Sequence, residues 1–306
     1  MLMEIREVMG NVISLFLIIL AGVYGIKRKF INEEIQKGLT KILINITLPL
    51  LIINSFSVEF DESMKSTIGK AFLYSFIFLI VGGIISKIFL IPIKNREKKR
   101  VLQFANVFSN CGFVGFPIVS SIYGAEGVVY TAIFNMFFNI FVWSYGVALY
   151  SDELDKSSLK KIVFNPGIVA VYIGLPIMLL NIHVPEYLAK SINIVGNMTT
   201  PLSMIIIGCI LTRVYMKEAF KDWIVYYESI IRLIIIPISI FIIAKLINDD
   251  SILMKTIIVL QAMPAGTMAS IMAENLDKDS RFAAIVIFVT TLLSIGSFPL
   301  VLSIIS

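Results

Sequence analysis

Histidine occurs once in the 306 residues, cysteine twice and tryptophan twice, and charged residues make up only 15%. Each shortage excludes a class of protein. The lone imidazole, His183, gives a His-based metal or proton site nothing to build on. Cys111 and Cys209 both fall in apolar stretches, which offers neither a disulfide framework nor thiolate metal spacing. Cys111 reads as a small packing residue and a target for thiol reagents. Paired aspartates, a Ser/His pair and a His-Glu-x-x-His run are missing too, so an intramembrane enzyme lacks its nucleophile, base or metal cluster. No cofactor is expected. Soluble domains carry roughly 25% charged residues. At 58% hydrophobic residues and a mean hydropathy of +0.90, this chain cannot coat a core of its size with polar surface. It reads as an integral membrane protein, and no stretch is long enough for the soluble domain of a receptor.

Long apolar runs are what the chain has instead. They suggest about ten spans, each near the roughly 20 residues a helix needs to cross a bilayer, at about 9–26, 39–57, 67–91, 101–122, 128–150, 164–181, 187–212, 222–247, 253–274 and 281–304. Barrel strands are excluded because the runs are continuous and twice too long. Basic residues alternate between the gaps. Nineteen Lys and Arg lie in the odd-numbered gaps, and six lie in the even gaps and the N-terminal flank. This bias puts the odd gaps in the cytoplasm and both termini outside. The net charge of +5 therefore orients the protein and is not a nucleic-acid footprint. Glu4 and Glu7 precede the first span and a basic cluster follows it, the pattern of an uncleaved span rather than a signal peptide.

Two runs, Asn45-Ile46-Thr47-Leu48-Pro49-Leu50 and Asn197-Met198-Thr199-Thr200-Pro201-Leu202, share Asn, Thr, Pro and Leu at matching offsets. They divide the chain into a first repeat (1–150), a short cytoplasmic linker (151–163) and a second repeat (164–306). Five spans per repeat is an odd number, so the second repeat enters the membrane inverted. Secondary transporters built this way bind substrate near the midplane at broken helices. Span 4 carries Gly112, Gly115 and Pro117 within six residues, and Pro117 obstructs the carbonyl of Phe113. The helix is expected to break there, with Asn106 and Asn110 sharing a face one turn earlier. Span 9 opens Val259-Leu260-Gln261, as span 4 opens Val101-Leu102-Gln103, and breaks at Pro264 and Gly266.

The string Asn110-Cys-Gly-Phe-Val-Gly-Phe-Pro117, the later Pro264-Ala-Gly-Thr-Met-Ala-Ser-Ile-Met-Ala-Glu-Asn275 and the proline-bearing spans 2 and 7 resemble the auxin efflux carrier family. The short central linker is similar to its bacterial branch, described as malate or malonate permeases. That resemblance implies an all-α membrane fold of ten helices in two inverted five-helix repeats. Spans 1, 2, 6 and 7 would form a scaffold, and spans 3–5 and 8–10 a mobile transport unit. Broken helices 4 and 9 would cross at Pro117 and Pro264, with a carboxylate held against Asn110. It further implies residence in the bacterial inner membrane and a homodimer through the scaffold helices.

Asn110 beside the break is the leading substrate ligand, because an amide donates to a carboxylate without adding a full charge to desolvate. Asn106, Asn135 and Asn139 (with Trp143 a turn further along the same face), Gln261 and Thr267 are further candidates. Interhelical packing is the competing role for each, worth about 0.6 kcal/mol in bilayers. Pro49 and Pro201 are expected to shape scaffold helices, with Asn45 and Asn54 as lesser candidates. Arg232 is the one cation well inside a span, and Glu228, four residues earlier, is placed to pair with it. The expected function is alternating-access transport of a small organic anion such as malate, malonate or an auxin-like acid. The alternatives are a sodium-coupled symporter of the bile-acid type and an anion channel.

Overall fold

A computed structural model describes residues 2–57, 62–150, 163–212, 222–276 and 278–305. It is all-helical, with no strand among the described residues. In chain order the helices are α1 (Leu2–Lys27), α2 (Glu33–Phe56), α3 (Glu62–Phe89), α4 (Arg96–Val107), α5 (Cys111–Tyr150) and α6 (Pro166–Leu179), followed by α7 (Glu186–Leu211), α8 (Trp223–Leu246), α9 (Ile252–Ala262), α10 (Met268–Asn275) and α11 (Ser280–Ile305). Six stretches among them are long and apolar enough to cross a bilayer: α2, residues 66–89 of α3, α5, α7, α8 and α11. The chain is a multi-pass membrane protein. The expected linker lies outside the described residues except for Val163.

Polar side chains mark the starts of five helices. Asn32, Asn95, Asn165, Asp222 and Ser251 each cap a helix by accepting a backbone N–H with the side chain. Gly124, at φ +59° and ψ −146°, divides α5 into two limbs, because the chain kinks there through a conformation that glycine adopts without strain.

Proline deforms these helices more often than it ends them. π turns at Leu43–Thr47, Cys111–Gly115 and Ile231–Ile235 are each followed two residues later by a proline: Pro49, Pro117 and Pro237. Proline offers no N–H and its ring crowds the carbonyl four residues back; widening the preceding turn accommodates both. The fourth π turn, Val142–Gly146, has no such proline. Pro49 stands in the first turn after the π turn of α2. Pro201 lies in the first turn after Met198, where α7 departs from regular helix.

Close packing of α1 on α7 runs through two glycines. A β-carbon at Gly22 would lie 2.0 Å from the Ile205 carbonyl oxygen, and one at Gly208 would lie 2.1 Å from that of Ile19. Small residues that let backbones touch replace the hydrophobic driving force that lipid cannot supply. At the basic end, Lys98 Nζ lies 2.6 Å from Asp222 Oδ2, tying α4 to the start of α8.

Candidate substrate site at the crossing of two interrupted helices

Helix α4 stops at Val107 and α9 at Ala262, and the two interruptions meet. Asn110 N–H donates to Pro264 O and Gly266 N–H to Phe108 O, both at 2.8 Å, so Ser109 and Ala265 form a one-residue antiparallel bridge. This pairing satisfies backbone groups that a bilayer interior would otherwise leave unbonded. Glycine is required at 266: a β-carbon there would lie 2.8 Å from Phe108 O and 3.0 Å from Ser109 O. Met263 is extended (ψ 150°), as the residue before a proline must be, so α9 ends there.

The first interruption is not where the sequence places it. It falls at Phe108–Asn110, and Pro117 sits seven residues beyond Asn110 inside the helix. The π turn absorbs Pro117, so Gly112 and Gly115 lie in a continuous helix. Asn106 and Asn110 therefore do not share a helix face. Asn110 is instead the N-cap of the next segment, its Oδ1 accepting Phe113 N–H at 3.2 Å. Gly115 serves packing: a β-carbon would lie 2.8 Å from the Leu260 side chain.

Beside the crossing lies a cavity of about 860 Å³. Two helices begin at its wall, α5 at Cys111 and α10 at Met268, and Asn110, Gly112, Gly266, Thr267 and Met268 all line it. A helix N-terminus carries unpaired N–H groups and roughly half a positive charge. Two converging ones suit an anion. With Oδ1 of Asn110 engaged in capping, its Nδ2 has no partner among the described residues and stands as a further donor. Ser109, which the sequence reading passed over, also lines the cavity, and its buried Oγ has no partner among the described residues.

Asn135 and Asn139 also line the cavity but are largely engaged. Asn135 Oδ1 accepts from Cys111 Sγ at 3.4 Å, Asn139 Nδ2 donates to Asn135 O at 2.7 Å, and Asn165 Nδ2 donates to Asn139 Oδ1 at 3.1 Å. Asn165 is a second lining residue missed in the sequence, its helix-cap position before Pro166 being the available signal. Asn45 bonds back to Lys41 O, and neither it nor Asn54 reaches the cavity. Lys37, Lys41 and Arg281, with Glu33 and Glu274, line the remaining part of the cavity.

Gln261 and Asn106 are absent from the cavity wall and belong to a buried cluster. Arg232, fully buried on α8, donates from Nε to Met263 O (3.0 Å) and from Nη1 to Asn106 O (2.6 Å) and Gln261 Oε1 (3.3 Å). Its guanidinium thus meets the C-terminal ends of α4 and α9, where carbonyl dipoles are negative. The crossing is polarised, with helix N-termini toward the cavity and helix C-termini held by Arg232. The expected Glu228–Arg232 ion pair is not formed. No ion-pair contact joins them among the described residues; Asn106 bridges instead, its Nδ2 donating to Glu228 Oε2 at 2.9 Å. Arg232 is drawn to the crossing, its Nε and Nη1 spent on Met263 O, Asn106 O and Gln261 Oε1. Gln261 Nε2 donates to Phe78 O and Gln103 Nε2 to Gly83 O, so the repeated glutamines both anchor to α3.

Residues 7–157 and 151–302 match a family model described as "Membrane transport protein". The chain is similar to an uncharacterized transporter of Methanocaldococcus jannaschii, 24% identical over 94% of this chain and 95% of that protein. It is also similar to an uncharacterized transporter of Methanothermobacter thermautotrophicus, 25% identical over 95% and 96% respectively.

Proposed function

The chain belongs to the auxin efflux carrier family of membrane transport proteins, and on that premise we propose that it carries a small organic anion, a carboxylate, by elevator-type alternating access. The observation that carries this reading is the convergence of two helix N-termini and the unengaged Asn110 amide on one cavity. The carboxylate sits against Asn110, Gly112 and Thr267, where N–H dipoles balance its charge. Uncharged ligands suit a carrier, which must also release what it binds. A fixed cation at the same place would hold the anion in a deep well.

The cavity walls divide between two groups of helices. Lys41 and Leu48 on α2, Asn165 before α6 and Ile210 on α7 face Asn110, Asn135 and Thr267. In the two-repeat arrangement the former belong to the scaffold and the latter to the moving unit. A substrate held at the crossing thus lies on the sliding boundary. By the positive-inside alternation, the end carrying Lys37, Lys41 and Arg281 is cytoplasmic, both termini are outside, and the conformation is open inward.

The test is uptake into proteoliposomes of labelled mono- and dicarboxylates. Saturable uptake of one acid, competed by its unlabelled form, is the expected result. Flux that neither saturates nor is competed points to a channel and overturns the carrier reading.

A further inference from the structure

The buried cluster behind the crossing contains three polar atoms without hydrogen-bond partners among the described residues: Glu228 Oε1, Asn106 Oδ1 and Arg232 Nη2. Two of them belong to groups already joined on their other edge, where Asn106 Nδ2 donates to Glu228 Oε2 at 2.9 Å. An ionised carboxylate and an amide oxygen are both acceptors, so with Glu228 charged neither Oε1 nor Oδ1 gains anything from the other. Both residues are fully buried, where an unsatisfied polar atom is expensive and an ionised carboxylate far more so. A single proton on Oε1 answers both shortages. It would make Oε1 a donor that Oδ1 can accept, pairing acid and amide through two hydrogen bonds. From this juxtaposition we propose that Glu228 is a proton-binding site, neutral in this conformation, its proton shared with Asn106.

The surroundings define where the proton goes when it leaves. Arg232 is the charged group nearest along the same helix, and Nε and Nη1 are already bonded to Met263 O, Asn106 O and Gln261 Oε1. From the neighbouring elements come Asn106 on α4, Gln261 on α9 and the Cys111 thiol at the start of α5, none of them charged. Beyond Arg281, α11 has no titratable side chain, and Lys98 at the start of α4 is paired with Asp222. On α3, Lys87 is exposed and Tyr74 donates to Asp249. Loss of the proton to water therefore leaves Glu228 one charged partner among the described residues, Arg232, whose Nη2 is unengaged there. Turning toward it exchanges an acid–amide pair for an ion pair and pulls on the guanidinium that clasps the ends of both interrupted helices. Protonation and the geometry of the crossing are coupled through that one side chain. The coupling to transport rests on the carrier reading above; the proton site does not.

Two readouts separate these. Infrared difference spectra of the purified protein, wild type minus Glu228→Gln, should show the carbonyl stretch of a buried protonated carboxyl at neutral pH. Glutamine reproduces both hydrogen bonds to Asn106, so E228Q should melt at the wild-type temperature. Absence of the band, with E228Q melting lower because Arg232 has lost its counter-charge, overturns the proton site. In proteoliposomes, an imposed proton gradient should change anion uptake several-fold in wild type and leave E228Q unaffected. An unchanged gradient response in E228Q overturns the coupling. A wild-type band without uptake of any acid upholds the proton site and counts against the carrier reading alone.

Discussion

Substituting aspartate for Asn110 separates the two roles that one side chain holds at the crossing. The Oδ1 atom caps the second helical segment through Phe113 N–H, and aspartate caps as well as asparagine does. The segment should therefore keep its start, and the melting temperature should change little. Nδ2, the donor left for substrate, disappears, and a hydrogen bond to a charged group is worth about 1.5–3 kcal/mol. In its place stands an anion at a few ångströms from the bound carboxylate, a repulsion of about 4 kcal/mol at 4 Å and an effective dielectric of 20. The total of about 5–7 kcal/mol predicts a loss of affinity of at least three orders of magnitude. Asn110→Ala loses the donor without gaining the charge, so its affinity should fall by about ten- to a hundredfold. It also loses the cap, at about 1 kcal/mol of stability. Isothermal titration of a transported acid, paired with thermal melting of each protein, reads both quantities. If Asn110→Asp binds the acid as wild type does while remaining folded, Asn110 is not a substrate ligand.

Gly266→Ala should lower thermal stability and abolish uptake, since its β-carbon meets the backbone carbonyls of Phe108 and Ser109; Gly112→Ala, with nothing within 4 Å, should melt like wild type. Arg232→Met removes the donor shared by Met263 O, Asn106 O and Gln261 Oε1. At about 1–3 kcal/mol for each buried acceptor left unpaired, it should destabilise by several kcal/mol in a denaturation series. Partial burial pushes the Asp222 carboxyl up, but hydrogen bonds from Lys98 and Ile224 N–H, together with the Lys98 charge, outweigh it and hold Asp222 below its ordinary value. The unfolded chain then binds that proton more readily. The stabilisation is complete above the ordinary aspartate range and fades as pH falls through the lowered value. Asp222→Asn should flatten that acid limb in melting-versus-pH curves.

Much of the architecture was legible because membrane depth imposes simple rules. The apolar runs identified the helices, and Pro264 marked the end of α9 because the residue before a proline avoids helical geometry. The expectation that Pro117, with Gly112 and Gly115, breaks its helix misplaced the other interruption. Pro117 follows a helical residue, Phe116, and a widened turn upstream accommodates it; a sequence pattern does not distinguish a π turn from a break. Asn110, expected one turn before the break, is instead the cap of the segment that follows it. Asn106 and Gln261 resembled cavity residues because they are polar in apolar spans. Only the placement of Arg232 reveals that they serve it. The pairing of Ser109 with Ala265 joins positions 156 residues apart, and no local pattern records it.

The most direct test of an anion site at the crossing is to locate a bromine-labelled form of the transported carboxylate in the protein by anomalous scattering. Bromine density inside the cavity, with the carboxylate against Asn110, Gly112 and Thr267, is the predicted result. Density elsewhere, with the crossing unliganded at saturating acid, would contradict the account.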